Sequence, residues 1–231
     1  GWDFSSRWFA DPTDMTSIRT ADILPVDLNC LLFFLENTLA EAHRAAGHPD
    51  VAEHFAEAAA RRKTFIQCCF WDAKTGFYFD FDAEKNGRTE ALTLAGLFPL
   101  YVGIATPEQA ARVHERIRDE FLQAGGLVTT LVRSGQQWDA PIGWAPLQWI
   151  GYESLNAYGF AETAAEIRRR WLHINDRVFK ATGKLTEKYN VMDEDAEAQG
   201  GEYPNQDGFG WTNGVYLKLQ AEGRQAEGAR E

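Results

Sequence analysis

Three acidic side chains of this chain lie among aromatic rings and glycines rather than on the charged face of a helix. Asp3 stands between Trp2 and Phe4, with Ser5, Ser6, Arg7 and Trp8 behind it. Asp139 follows Gln137 and Trp138 in the stretch Gln136-Gln137-Trp138-Asp139-Ala140-Pro141-Ile142-Gly143-Trp144-Ala145-Pro146. Glu202 lies in Gly200-Gly201-Glu202-Tyr203-Pro204-Asn205-Gln206-Asp207-Gly208-Phe209-Gly210-Trp211-Thr212-Asn213-Gly214, where Asp207 is a rival carboxylate. Flat indole rings stack on the apolar faces of a pyranose, while carboxylates and amides take its hydroxyls. Two carboxyl groups across a glycosidic bond can then act as acid and as base or nucleophile. Apolar neighbours disfavour charge on Asp3, which suits a proton donor, and capping a turn is the alternative reading. Glu202 is the base candidate because its glycine-rich surroundings are costly to order and allow close backbone approach. Asp139 is as suited to binding hydroxyls or holding its loop as to chemistry.

Other chemistries find little support. The five His (His43, His48, His54, His114 and His173) show no metal-ligand pairing on one helix face, and no His-Glu-x-x-His occurs. Neither a nucleophile elbow nor a phosphate-binding loop is present, and Gly208-Phe209-Gly210 follows no strand, as a dinucleotide fingerprint must. Neither a metal nor an organic cofactor is expected. The acidic run Asp193, Glu194, Asp195 and Glu197 reads as a solvated loop. Three Cys (Cys30, Cys68 and Cys69) are too few for a disulfide framework and read as buried small hydrophobes. A net charge of −11 argues against nucleic acid, since the basic clusters Arg61-Arg62-Lys63 and Arg168-Arg169-Arg170 both fall inside helical patterns. The longest apolar run, Leu31 to Leu35, is far shorter than the ~20 residues a membrane-spanning helix needs.

The elements that must position these loops are helical. Pro25 introduces a helix with apolar residues at Leu28, Leu31, Leu32, Leu35, Leu39 and Ala42, closed by Gly47. Pro49 and Asp50 start a second, carried by Val51, Phe55, Ala59, Ile66 and Cys69. Within the loop from Trp71 to Arg88, Phe77 to Phe81 can form a short strand or hairpin arm. A third helix is expected from Glu90 to Tyr101. The capping box Thr106-Pro107-Glu108-Gln109 opens a fourth, to Leu122. A fifth covers Leu147 to Tyr158, a sixth Ala161 to Lys180 and a seventh Phe209 to Gln220. The Trp-rich stretch and the segment Lys184 to Gly208 are left as irregular loops. Residues 221–231 read as a polar, disordered tail.

Helices thus come in pairs with tight turns, separated by long loops recurring at roughly 60-residue intervals. Stacked hairpins make an open solenoid or a closed α/α toroid. Six of the eight Trp (Trp2, Trp8, Trp71, Trp138, Trp144 and Trp211) fall in or beside the long loops, which favours the toroid with a pocket at its loop end.

Gln137 to Pro146 resembles the QWDxPxGWAP motif of the trehalases, glycoside hydrolase family 37, at every fixed position. Gly1 to Trp8 resembles that family's acid motif, Glu202 to Gly214 its base segment, and Glu187-Lys188-Tyr189 also fits its pattern. The resemblance runs from Gly1 to about Leu219. It implies an all-α (α/α)6 toroid, of which residues 1–220 form roughly the C-terminal half of the catalytic domain, hydrolysing α,α-trehalose with inversion. It implies Asp3 as general acid and Glu202 as general base, with no metal or cofactor. Trp2, Arg7, Gln137, Trp138, Asp139, Trp144, Tyr203, Gln206, Phe209 and Trp211 would bind or shape the substrate. The other readings are a different toroid glycosidase and a carbohydrate-binding helical module without turnover.

The family's Arg-rich motif, which precedes the acid motif, is absent. The chain opens on Gly1-Trp2-Asp3 with neither signal peptide nor initiating Met and reads as a piece of something longer. Its expected partner, besides the sugar, is the missing N-terminal half of the toroid. Alone, the chain is expected to leave one side of the pocket open and apolar helix faces exposed.

Overall fold

The computed structural model describes residues 2–195 and 203–228, with side chains to residue 223. The chain divides into two compact units, one of residues 19–113 and the other of residues 1–18 with 114–231.

The first unit is built on a helical hairpin, α1 (Val26–Ala45) and α2 (Pro49–Phe65). Its turn is closed by Gly47 at φ +80°, a left-handed conformation open to glycine at no steric cost. The α1 N-terminus is capped from afar, because Val26 N–H donates to buried Asp80 Oδ1 at 2.8 Å. Arg62 of α2 pairs with Glu36 of α1 at 2.7 Å and donates to Asn29 Oδ1, which ties the helices side by side.

The apolar stripe expected to bury α1 does not do so. Leu28, Leu31, Phe34 and Leu35 are each about half exposed, and the buried positions are Val26, Asp27, Asn29, Cys30 and Ala40. The helix meets α2 and the 94–101 stretch along its small and polar side chains, so the larger leucines face away from this packing.

The aromatic run forms two short arms. Strand β2 (Trp71–Asp72) pairs antiparallel with β3 (Phe77–Tyr78), while β4 (Phe81–Asp82) lies between β1 (Ile23–Leu24) and β5 (Gly87–Arg88). The third helix is shorter than its pattern suggests: a 3-10 turn, Leu94–Leu97, leads into four-residue α3 (Phe98–Tyr101). Pro99 removes a backbone donor there, and the Phe77 ring lies where a Cβ on Gly96 would stand. The capping box holds as read, with Gln109 N–H donating to Thr106 Oγ1 at 3.2 Å and Thr106 N–H to Gln109 Oε1 at 2.8 Å. It opens α4 (Pro107–Arg116). Of the cysteines only Cys30 is buried; Cys68 is exposed and Cys69 half-buried, against expectation.

The second unit packs α5 (Ala145–Ala157), α6 (Ala161–Thr182) and α7 (Gly210–Gly228) on one another. Leu155, Ala164, Ile167, Trp171 and Leu219 are fully buried between them. Each large apolar side chain so buried contributes about 1.5–3 kcal/mol. Helix α7 continues past Gln220, so the first eight residues of the stretch read as a disordered tail are helical.

Neither long loop of this unit is wholly irregular. Strand β6 (Leu122–Gln123) pairs with β7 (Gly126–Leu127), and β8 (Ile142–Trp144) pairs antiparallel with β9 (Lys188–Asn190). The β8–β9 register sets Trp144 opposite Lys188 and Gly143 opposite Tyr189. Gly143 serves close approach rather than unusual dihedrals: a Cβ there would stand 2.5 Å from Val191 Cγ1 and 2.7 Å from Leu127 O. Gln148 on α5 pins β7 by accepting from Leu127 N–H at 2.7 Å and donating to Leu127 O at 2.8 Å. No helix of the described residues is long and apolar enough to cross a membrane.

Candidate active site

Aromatic and cationic groups of the second unit form a column. The Arg7 guanidinium lies between the rings of Trp8 (4.3 Å to the centroid) and Trp2 (4.5 Å). Trp2 stacks on Trp138 at 5.3 Å, and Trp138 stacks on Trp144 at 4.2 Å with 9° between planes. The Lys188 ammonium follows, 5.6 Å from the Trp144 centroid and 4.7 Å from that of Tyr203. Trp211 stands edge-on to both Trp138 and Trp144, and Phe209 tilts against Trp211 at 4.8 Å. Each cation thus lies against two ring faces, at either side of the three stacked indoles, as the ring quadrupole favours.

Asp139 anchors the loop that carries two of these rings. Its Oδ1 accepts from Ser5 Oγ (2.8 Å), Ser6 Oγ (2.9 Å) and Thr130 Oγ1 (2.9 Å), while Oδ2 accepts from Ser6 N–H (2.7 Å) and Ser134 Oγ. The side chain is fully buried, so five donors stand in for water. Of the roles open to Asp139 from sequence, these bonds match holding its loop rather than taking substrate hydroxyls. A backbone bond from Trp138 N–H to Phe4 O, at 3.3 Å, ties the same two segments together. The Ala140–Pro141 peptide within the loop is cis.

Asp3 is the exposed carboxylate at this junction. Its Oδ2 accepts from Gln137 Nε2 at 3.1 Å, and its main-chain oxygen accepts from Trp8 Nε1 at 3.0 Å. The apolar burial inferred for it from its neighbours is therefore absent, because Arg7 rather than Asp3 lies between the rings. Gln137 is fully buried and its Oε1 accepts from Lys188 Nζ at 2.6 Å.

Lys188 is itself fully buried, with Nζ 3.8 Å from Glu187 Oε2. Glu187 Oε1 accepts from Tyr203 OH at 2.8 Å. Burial raises the Tyr203 phenol above its ordinary range, Glu187 adds to this, and Gln137 works the other way. The hydroxyl therefore keeps its proton and donates. Trp211 Nε1 reaches Glu187 O at 3.4 Å.

Of the expected site residues, Trp2, Asp3, Arg7, Gln137, Trp138, Trp144, Tyr203, Phe209 and Trp211 are brought together. Arg7 and Gln137 are buried within the assembly rather than presented to a ligand. Gln206 stands apart: it is exposed and its amide donates back to Pro204 O at 2.8 Å. Asp207, the rival base, is exposed and paired with Lys184, and with Asp176, Phe179 and Tyr216 lines a separate cavity that includes no residue of the column. Glu202 lies outside the described residues.

In the acidic run, Arg177 pairs with Asp195 at 2.6 Å and with half-buried Glu194 at 3.5 Å, so this part is tethered to α6 rather than simply solvated; Glu197 lies outside the described residues. Sequence reasoning assigned no role to Glu187 and Lys188, although they fit the family pattern. Among the described residues, no group of three His, Cys, Asp or Glu could hold a metal ion.

A family model, described as Trehalase, matches residues 1–222. The chain belongs to the trehalase family. The periplasmic trehalase of Salmonella paratyphi B is 49% identical over 219 residues, which cover 95% of this chain and 38% of that protein. The periplasmic trehalase of Salmonella dublin matches equally well. The chain thus spans about 38% of the length of these curated relatives.

Among solved structures, the neutral trehalase of Saccharomyces cerevisiae superposes with a TM-score of 0.75 at 29% identity, over 90% of this chain and 40% of that one. A family 63 mannosylglycerate hydrolase from Thermus thermophilus, at 22% identity and a TM-score of 0.66 over 85% of this chain and 45% of its own, shares the fold. The fold class of this trehalase-family chain is that of the (α/α)6 toroid enzymes.

Proposed function

We propose that this chain forms part of a glycoside hydrolase that cleaves α,α-trehalose to two glucose molecules with inversion. Asp3 is the general acid: it gives its proton to the bridging oxygen as the bond from that oxygen to the anomeric carbon breaks. Glu202 is the general base, taking a proton from the water that attacks the same carbon from the opposite face. An inverting pair stands roughly 6.5–9.5 Å apart, which leaves room for that water. Trp2 and Trp211, both half-buried at the edges of the indole column, line the sugar site, and buried Trp138 backs them. Asp139 and Arg7 hold the loops in register instead of touching substrate.

The observation that carries this reading is the Asp3 carboxylate itself. It is exposed, held by a buried amide, and set beside an indole column, which is how an acid must be displayed to reach a bound sugar.

The test is made on the full-length protein. Asp3→Asn and Glu202→Gln should each lower trehalose turnover by about 10²–10⁴-fold, the usual contribution of a positioned acid or base. Trehalose binding, followed by calorimetry, should persist in both. Turnover near that of the parent protein in either variant removes that residue from its role.

A further inference from the structure

We propose that buried Lys188 is a positioning residue which, through Gln137, decides which oxygen of Asp3 carries the transferable proton. This rests on the reading of Asp3 as the general acid. The geometry is a chain of two hydrogen bonds, Lys188 Nζ to Gln137 Oε1 at 2.6 Å and Gln137 Nε2 to Asp3 Oδ2 at 3.1 Å.

A primary amide can present either end to a neighbour, and rotation by 180° exchanges donor for acceptor. An ammonium has three donors and no acceptor, so the end of Gln137 that faces Lys188 must be its carbonyl. The NH2 end is thereby fixed toward Asp3. An NH2 group only donates, so Asp3 Oδ2 must accept whether the carboxyl is neutral or ionised. In the neutral acid the carbonyl oxygen is the stronger acceptor for such a donor, which favours Oδ2 as the carbonyl and leaves the proton on Oδ1. When the Oδ1–H bond breaks and the proton passes to the bridging oxygen, the charge left on the carboxylate meets an N–H already aimed at it. Such a donor needs no reorganisation during the reaction.

Lys188 is well held for this task. It is enclosed by Trp144 and Tyr203 with Glu187 beside it, and Tyr203 steadies Glu187 in turn. Burying a cation is costly even when it is paired, and an apolar side chain would fill the space more cheaply. The bond to Gln137 supplies a reason for the cation to be there.

The experiment compares two substrates on the full-length protein: α,α-trehalose, whose leaving group must be protonated, and α-D-glucosyl fluoride, whose fluoride leaves without a proton. Lys188→Met and Gln137→Met should lower kcat on trehalose by about 100-fold, as small misplacements of a catalytic group do. In Gln137→Met, which leaves buried Lys188 beside Glu187, the trehalose KM and turnover of the fluoride should stay within about threefold, because neither depends on delivery of the proton. Lys188→Arg, which keeps a cationic donor, should recover part of the trehalose kcat.

An equal fall on both substrates, or no fall on either, overturns the relay. Should Lys188→Met fail to fold, Gln137→Met decides alone, since it leaves the Lys188–Glu187 pair intact. Asp3→Asn is run beside them. If it cleaves trehalose normally, the underlying reading fails; if it loses trehalose alone while the relay variants behave otherwise, only the relay fails.

Discussion

Ser5 and Asp139 are 134 residues apart in the chain, and Ser5 Oγ donates to Asp139 Oδ1 at 2.8 Å. This bond and the two from Ser6 join the segment that carries Asp3 to the loop that carries Trp138 and Gln137, while Thr130 and Ser134 tie that loop to its own approach. The position of Asp3 therefore depends on a carboxylate that need not touch the sugar.

Asp139→Asn tests that dependence. An amide offers one acceptor oxygen in place of two and turns an NH2 group toward donors already aimed at it, leaving buried groups unsatisfied. A loss of about 3 kcal/mol is expected in urea denaturation. Trehalose turnover should fall as well, while Ser5→Ala, which removes one bond of five, should cost about 1 kcal/mol. Unchanged denaturation of Asp139→Asn would show that the loops are held by other contacts.

Gly143→Ala places a methyl group 2.5 Å from Val191 Cγ1 and 2.7 Å from Leu127 O. The backbone oxygen cannot turn aside, so β8 must move away from it. A destabilisation of about 1–3 kcal/mol is expected in thermal melts. The shift should also reach Lys188, which faces Trp144 in the same ladder, so that trehalose kcat falls with stability.

Glu166 gives a pH-dependent prediction. Side-chain hydrogen bonds from Arg169 and Arg170 hold its carboxyl down at about 2, against the cost of burial. A carboxyl depressed on folding stabilises the protein at pH values above its unfolded pKa. That stability is lost as pH falls toward the folded value. The melting difference between the parent protein and Glu166→Gln should thus be present at pH 6 and vanish between about pH 4.5 and 2. Solvent screening limits it to about 1 kcal/mol. A difference that persists at pH 2 would point to packing.

Inversion has a product signature. Attack by water on one anomeric carbon of α,α-trehalose releases one β-glucose and one α-glucose, whereas retention gives two α-glucoses. Proton NMR in the first minutes, before mutarotation, should show the two anomers in equal amounts. Substrate choice is checked in the same assay, with glucose expected from trehalose and not from maltose or sucrose.

Much of this molecule is legible in its sequence. The helical hairpins follow from apolar spacing and from the punctuation of Pro25, Gly47 and Pro49, because those signals act over a few residues. The capping box at Thr106 is legible for the same reason. The family follows from Gln137 to Pro146, where two Trp, two Pro, a Gly and an Asp in so short a space match the family's motif at every fixed position.

What tertiary structure alone decided is which side chains face which. Leu28, Leu31 and Leu35 carry the right period for a core and yet lie half exposed, since the period states that a helix has an apolar face and not what covers it. Trp144 and Lys188 come from two stretches with no strand pattern and meet as a ladder pair. A two-stranded pairing of three residues depends on long-range contacts that no local window contains. Asp139 and Arg7 looked like ligands for a sugar because acidic, basic and aromatic residues near one another suit that task. Folding brought Ser5, Ser6, Thr130 and Ser134 around one, and Trp2 and Trp8 around the other. The sequence placed acidic, basic and aromatic residues close enough together to suit a sugar. The folded neighbourhood, through local rings and hydroxyls and through the contacts of Ser5 and Ser6 with Asp139 across more than 130 positions, decided which of them are already occupied.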